Sequence, residues 1–311
     1  FTVQQAPHSA ERWRDLFAAI GRWRDDGLDV KGQVAPRPIG LLMGLTATAN
    51  PFLYCASFDE LRDAPFDERL RALHDPDRRA RILAEHADLL ASLDEGLFKQ
   101  IVGGFDVIFE LTDPVDYDLD VSKSVGADAQ RRGIDPAGLV YDLLLRHDGT
   151  QLLYSPLFNL AHGNLHDVHE MITSPLALFG LSDAGAHCGA ICDASSTTSY
   201  LTVWARDRRD DPPLPVEQVV HQLTRRTAEH VGWLDRGLLA PGHLADVNVI
   251  DLANINCAPP RIAHDLPAGG RRLVQDARGY EHTIKAGEIT FTRGEHTGAL
   301  PGGLVRGTTA G

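Results

Sequence analysis

The chain has no apolar run near the ~20 residues that a membrane-spanning helix needs, so no transmembrane helix is expected among its 311 residues. Cysteine is scarce: four residues, at 55, 188, 192 and 257, with no Cys-x-x-Cys pair. That excludes a dense disulfide framework and a zinc ribbon, and makes reduced thiols in a cytoplasmic protein the default. Cys188 and Cys192 are four apart, which suits one helical face, and are read as small packing residues. Basic residues are also in deficit, 30 Lys and Arg against 43 Asp and Glu, for a net charge of −13. Nucleic acid and an anionic membrane surface both demand basic patches, so neither is an expected partner. Several chemical signatures are missing too. There is no His-x-His and no His-Glu-x-x-His; residues 166 to 170 read His-Asp-Val-His-Glu. No Gly-x-Ser-x-Gly surrounds Ser182, and the glycine pairs lack phosphate-loop spacing.

What is present reads as an α/β chain that turns β-rich. Phe1-Thr2-Val3-Gln4-Gln5 reads as a short strand. Trp13, Leu16, Phe17, Ile20 and Trp23 recur at helical spacing between Ser9, a fair N-cap, and Gly27, a fair C-cap. Leu28 to Val34 reads as a second strand, ending at Ala35-Pro36-Arg37-Pro38. Strand, helix and strand in that order make a βαβ unit, the building block of a parallel sheet. Residues 58 to 97 should be helical, broken near Pro65 and Pro76. Phe105 to Phe109 reads as a strand, and a helix should begin near Asp135-Pro136. Further helices are expected from Leu160 to Ile172 and from about Pro215 to Val231. From Asp235 the pattern becomes short alternating strands, with a hairpin turning at Ala286-Gly287.

The most informative segment is Gly180-Leu181-Ser182-Asp183-Ala184-Gly185-Ala186-His187, which follows the apolar run Leu176-Ala177-Leu178-Phe179. A buried parallel strand reads as such a run. Its C-terminal end carries a carboxylate and an imidazole among small residues, where α/β barrels place reactive groups. An Asp there suits cation binding and proton transfer. A helix-capping Asp183 and a surface His187 remain the alternative reading.

Read onward, Ser182 to His187 with Cys192-Asp193-Ala194-Ser195 resembles the last barrel strand of the amidohydrolase superfamily, in its D-aminoacylase (N-acyl-D-amino-acid deacylase) branch. Leu223 to Ala228 and Asp235 to Val247 resemble that branch's exit from barrel to small β domain, and Thr297 to Arg306 its C-terminal tail. The resemblance implies an α/β fold: the C-terminal part of a (β/α)8 TIM-like metal-dependent hydrolase barrel over 1–234, then part of a small β-sandwich domain over 235–311. A complete barrel takes about 250 residues, and the resemblance implies one that opens on a metal-binding His-x-His. The resemblance therefore also implies a longer parent protein, with metal ligands upstream of Phe1. On that expectation residues 1–311 alone would bind metal weakly, lack deacylase activity and be poorly soluble.

The implied chemistry is hydrolysis of a linear amide, with an N-acyl amino acid as small-molecule substrate. One or two divalent metals, Zn2+ foremost, lower the pKa of a bound water to about 7. Asp183 is implied as a metal contact that takes the water's proton and passes it to the leaving amine. His187, four residues on, is a candidate substrate contact. Arg37, held extended between two prolines, suits bidentate binding of a substrate carboxylate, although the branch often carries tyrosines there. Gln4 and Gln5 stand where a strand-end metal histidine is expected, which leaves His8 as the nearest imidazole and a weaker ligand candidate. His162, His166 and His169 are read as a solvated or lid face, and the charge run from Arg206 to Asp211 as solvated. The alternatives are a cyclic-amide amidohydrolase of the dihydropyrimidinase type and a non-catalytic relative.

Overall fold

The structure, a computed structural model, describes residues 1–181 and 187–305. Five strands precede Asp235: β1 (Gly32–Val34), β2 (Ile39–Met43), β3 (Phe109–Glu110), β4 (Leu153–Phe158) and β5 (Ala177–Phe179). β1 pairs in parallel with β5, Gln33 opposite Leu178. On its other side Thr2 bridges Gln33, also in parallel, with Val3 N donating to Gln33 O at 2.8 Å. The helix Arg12–Asp25 covers this parallel arc, burying Trp13, Phe17 and Ile20 at the expected helical spacing. It lies so close that a Cβ on Gly32 would come within 2.8 Å of Val3 Cγ2 and 3.3 Å of Ile20 Cδ1. The βαβ reading of the N-terminus is therefore realised. The helix starts at Arg12 because Ser9 is taken into a turn with Ala6, and Gly27 closes its other end at φ 89°.

Beyond that arc the expected barrel pattern gives way. β2 and β3 both pair antiparallel with β4, in the order β2-β4-β3. The physical reason lies in the connection. Only Ala35-Pro36-Arg37-Pro38 separates β1 from β2, whereas a parallel neighbour needs a crossover of a dozen or more residues. Among the described residues, parallel pairing thus joins the Thr2 segment, β1 and β5, with one further parallel bridge from Met43 to Ala49. The antiparallel sheet is buried on both faces, because successive side chains alternate. Leu42, Tyr154 and Phe109 enter a core shared with the parallel arc. Met43, Leu153 and Ile108 enter a second core, capped by helices that include Phe66–Leu73, Pro76–Ser92 and Pro136–Leu144. Asp135 caps the last of these as anticipated, accepting from Gly138 N at 2.9 Å, with Pro136 at its first turn.

His86 is buried in that second core. Its Nε2 lies 2.8 Å from Val102 O, and Phe52 and Phe105 lie at ring distances of 5.1 and 5.6 Å. Burial lowers its pKa from the ordinary value near 6.5. The unfolded chain then binds a proton that the folded chain resists, so stability falls as pH drops below about 6.5. Urea midpoints should be lower at pH 5.5 than at pH 7.5, and His86→Phe should flatten that dependence. An equally steep profile in the variant would remove His86 as its source.

Among the described residues, the strands after Asp235 pair only with one another, and always antiparallel. They are β6 (Val247–Ile250), β7 (Asn256–Cys257), β8 (Arg261–Leu266), β9 (Gly270–Val274), β10 (Ala277–Arg278), β11 (Tyr280–Lys285), β12 (Glu288–Thr292) and β13 (Glu295–His296). The predicted hairpin is there: Lys285 faces Glu288, with Ala286 and Gly287 at φ 51° and 86°. Two positive φ values make the turn type whose twist matches the strands. Arg293-Gly294 repeats it between β12 and β13. Ile255, Cys257 and Leu273 reach out of these strands into the first core. No helix among the described residues is long and apolar enough to cross a membrane.

Candidate functional site

The Thr2 segment, β1 and β5 run the same way, so their C-terminal ends open on one side. The three ends lead to Gln5, to Arg37 and to the segment 182–186. Asn159, just past β4, ties two of them together. It is fully buried at φ 62°, a conformation Asn tolerates better than most residues. Its Oδ1 accepts from Gln5 N at 2.8 Å and its N donates to Gln5 O at 2.9 Å. Its Nδ2 donates to Ala35 O at 3.2 Å and lies 3.4 Å from Arg37 O. No sequence pattern announced Asn159; its value lies in pairing a peptide from a distant strand.

Gln5 carries the first cluster. Its Oε1 accepts from Ala161 N at 2.9 Å, which fixes the amide so that Nε2 points at Asp167 Oδ2. The same oxygen lies 2.8 Å from His162 Nδ1. Asp167 is buried, and an ionised carboxylate only accepts, so Nδ1–H is the donor to it and Nε2 is the ring nitrogen left for another partner. That Nε2 faces Glu11 Oε1 at 3.6 Å. Among the described residues, Glu11, His162 and Asp167 bring their ligand atoms within 4.8 Å of one another. One imidazole and two carboxylates are a donor set that divalent metals accept. A carboxylate behind a histidine is also the usual second partner of a metal-binding imidazole. A cation is already in attendance, however. Arg14 sits 2.9 Å from Asp167, 2.7 Å from Glu11 and 2.5 Å from Glu170. The set fits a metal in kind, in competition with that guanidinium.

The predicted histidine face divides three ways. His162 joins Asp167; His166 Nδ1 lies 3.1 Å from Asp211 Oδ2; His169 stacks on Trp204 at 5.5 Å. The helix begins only at His166, whose N donates to Asn164 Oδ1 at 3.0 Å, so residues 160–165 form the approach instead. Nor is the whole 206–211 run solvated. Arg208 is buried, bound to Asp118 and 2.7 Å from Asp211, with its guanidinium 5.2 Å from the Trp204 ring. Charged runs are usually exposed, and Arg208 is buried here because Asp211 of its own run and the distant Asp118 both pair with it.

Arg37 is 1% exposed, and its geometry is that of an internal clamp. Nη1 donates to Ser195 Oγ at 3.0 Å and lies 3.4 Å from Ser199 Oγ. Nη2 donates to Cys192 O and to Asp193 Oδ1, both at 3.0 Å. The Tyr117 ring faces the guanidinium at 4.0 Å. Of the five N–H groups, the four terminal ones are engaged, and only the buried Nε–H is left over. No exposed pair remains for a substrate carboxylate, so the expected substrate clamp is corrected to a clamp on residues 192–199. The fork geometry was legible in the sequence; the partner was not. The two prolines do hold the site, since Trp204 Nε1 donates to Pro36 O and Tyr154 Oη to Pro38 O at 2.6 Å. Burial pushes the Cys192 thiol up to about 11 and raises that of Cys257, so both stay protonated packing groups.

Asp183 lies outside the described residues, between two flanks that are described. On the near side Gly180 N donates to Val34 O at 2.9 Å, extending the β1–β5 ladder, and Ser196 Oγ donates to Leu181 O at 2.6 Å. On the far side His187 is exposed, at φ 49°, and its carbonyl accepts from Ala190 N and Ile191 N. The turn it opens is gripped by the main chain of three other segments. Thr48 N donates to Gly189 O at 2.8 Å, Leu42 N to Ala190 O at 2.7 Å and Leu273 N to Cys188 O at 2.7 Å. His8 is exposed in the turn between Ala6 and Ser9 and is not a member of the Glu11–His162–Asp167 group.

Three solved structures of D-aminoacylase resemble the chain at 19% identity. One, described as defining a novel subset of amidohydrolases, covers 57% of this chain at a TM-score of 0.32. A second, from work on the binuclear metal center of D-aminoacylase, covers 62% at 0.33. A third, a D-aminoacylase mutant with copper chloride, covers 62% at 0.32. The chain spans only about a third of their length, 33% to 36%. No curated protein matches it. The model of the amidohydrolase family matches residues 40–291, most of the chain, from within β2 to within β12. The chain belongs to the amidohydrolase family.

Proposed function

We propose that the protein is a metal-dependent hydrolase of linear amide C–N bonds, acting on N-acyl amino acids of D configuration. The observation that carries the reading is the family match across 40–291, which encloses the strand-end segment bearing Asp183. Convergence of three parallel strand ends beside that segment supports it, because α/β folds build their sites there. A divalent metal such as zinc, when bound, supplies an acidified water and polarises the acyl oxygen. Asp183 would be one of the residues that hold such a metal, and its carboxylate would carry the proton from the attacking water to the departing amine. His187, exposed at the far flank, contacts the substrate. Among the described residues, His162, hydrogen-bonded to Asp167, is the imidazole proposed to serve the metal, and His8 lies in an exposed turn. Arg37 serves by holding residues 192–199 in place.

A substrate panel with added zinc tests this in the intact protein. N-acetyl-D-amino acids should be hydrolysed in preference to their L counterparts, dipeptides and hydantoins. Preference for hydantoins would replace the reading with a cyclic-amide hydrolase. No turnover of any member would favour a non-catalytic relative.

A further inference from the structure

Gln275 lies between β9 and β10, in the C-terminal strands, yet its side chain reaches the first core. Its Oε1 accepts from Tyr117 Oη at 3.1 Å and from Ser195 Oγ. Its Nε2 donates to Ala258 O at 2.7 Å, so both ends of the amide are engaged and its orientation is fixed. Ser195 donates to Gln275 and accepts from Arg37, which also grips Cys192 O and Asp193. Tyr117, the other donor to Gln275, is the ring on which Arg37 rests. One residue on, Ser196 holds Leu181, the last described residue before the Asp183 segment. Two residues before Gln275, Leu273 holds Cys188, on the other side of that segment. The stretch 273–275 is therefore connected to both flanks of residues 182–186, by main chain to one and through Ser195 and Ser196 to the other.

We infer that Gln275 is a positioning residue for the chain on either side of residues 182–186, acting through Ser195 and Ser196 on Leu181 and beside Leu273 on Cys188. The inference rests on the proposed role of Asp183 for its catalytic consequence, and on the contacts alone for its structural one. Hydrolysis by a metal-held water needs the proton acceptor in register with both water and substrate, and a misplacement near 1 Å costs on the order of a hundredfold in rate. A tie from the C-terminal strands would make that register depend on a part of the fold that contributes no reacting group.

The test compares Gln275→Met with Gln275→Glu. Met keeps the volume and removes both hydrogen-bonding ends. Glu keeps the acceptor that Ser195 and Tyr117 use. Backbone hydrogen exchange read on peptides covering 176–191 should quicken about tenfold in Gln275→Met, with helix 76–92 unchanged, because local opening is separable from global unfolding. In Gln275→Glu, which keeps the acceptor but turns a carboxylate oxygen toward Ala258 O, the loss of protection should be smaller than in Gln275→Met. With substrate, kcat of Gln275→Met should fall about tenfold or more with KM nearly constant, as expected when transition-state alignment rather than binding is lost. Unchanged exchange at 176–191 in Gln275→Met would overturn the inference, as would a rise spread evenly over the whole chain. Faster local exchange in a protein that hydrolyses no substrate of the panel would sustain the positioning role and refute the proposed activity instead.

Discussion

Arg37→Met is expected to lower the free energy of unfolding by about 3–5 kcal/mol, the range for breaking a buried ion pair from one side. The loss would be large against the about 5–15 kcal/mol of a typical domain. The cause is less the lost attraction than what stays behind. Asp193 is only 6% exposed, and without the guanidinium its carboxylate would be buried with its cationic partner gone. Cys192 O, Ser195 and Ser199 would each lose a donor. Arg37→Lys should cost less, because a compact ammonium keeps the charge and loses the fork. Adding Asp193→Leu to Arg37→Met should recover part of the loss, since removing both charges leaves none uncompensated. Urea unfolding of the wild type, Arg37→Met, Asp193→Leu and the double variant closes the cycle. A cost under about 1 kcal/mol for Arg37→Met would place the pair in the class of surface ion pairs and contradict its burial.

Arg37 also marks how far a sequence reaches. Its fork between two prolines was visible, and so was the expectation that the fork holds a carboxylate. Which carboxylate was not visible, because Asp193 is more than 150 residues away. The same limit explains Asn159 and Gln5, whose partners come from distant segments. Local rules carried well: the helix face of Trp13, Phe17 and Ile20, the Asp135-Pro136 start and the Ala286-Gly287 turn are each set within a few residues. Non-local pairing carried poorly. β2 and β4 are apolar stretches whose antiparallel register is set by each other, 110 or more residues apart, and neither was read as a strand. Burial on both faces also erased the alternation that would have revealed them, since Leu42 and Met43 serve two different cores. The buried Arg208 was lost for a related reason: its own neighbours are charged, and one of the two carboxylates that pair with it, Asp118, lies 90 residues away.

Asp183→Asn should reduce kcat/KM of the intact protein by about two to four orders of magnitude, the span attributed to a positioned acid–base group. Asparagine keeps the size and the capacity to accept a hydrogen bond, but it neither accepts a proton at neutral pH nor offers a charged oxygen to a metal. Both proposed duties of Asp183 fall together, so the loss should appear in kcat and in metal affinity. Stability should hardly move. The flanks are held by Ser196 at Leu181 and by Thr48, Leu42 and Leu273 at residues 188–190, and none of these contacts involves the Asp183 side chain. Three measurements on one variant separate the alternatives: turnover of an N-acetyl-D-amino acid, zinc retained after dialysis, and the thermal midpoint. Lost turnover and lost zinc at an unchanged midpoint is the outcome that the proposed chemistry requires. Near wild-type turnover would remove Asp183 from the reaction. A midpoint lowered by many degrees would instead give Asp183 the structural duty of capping the chain that follows β5, the alternative its sequence context left open.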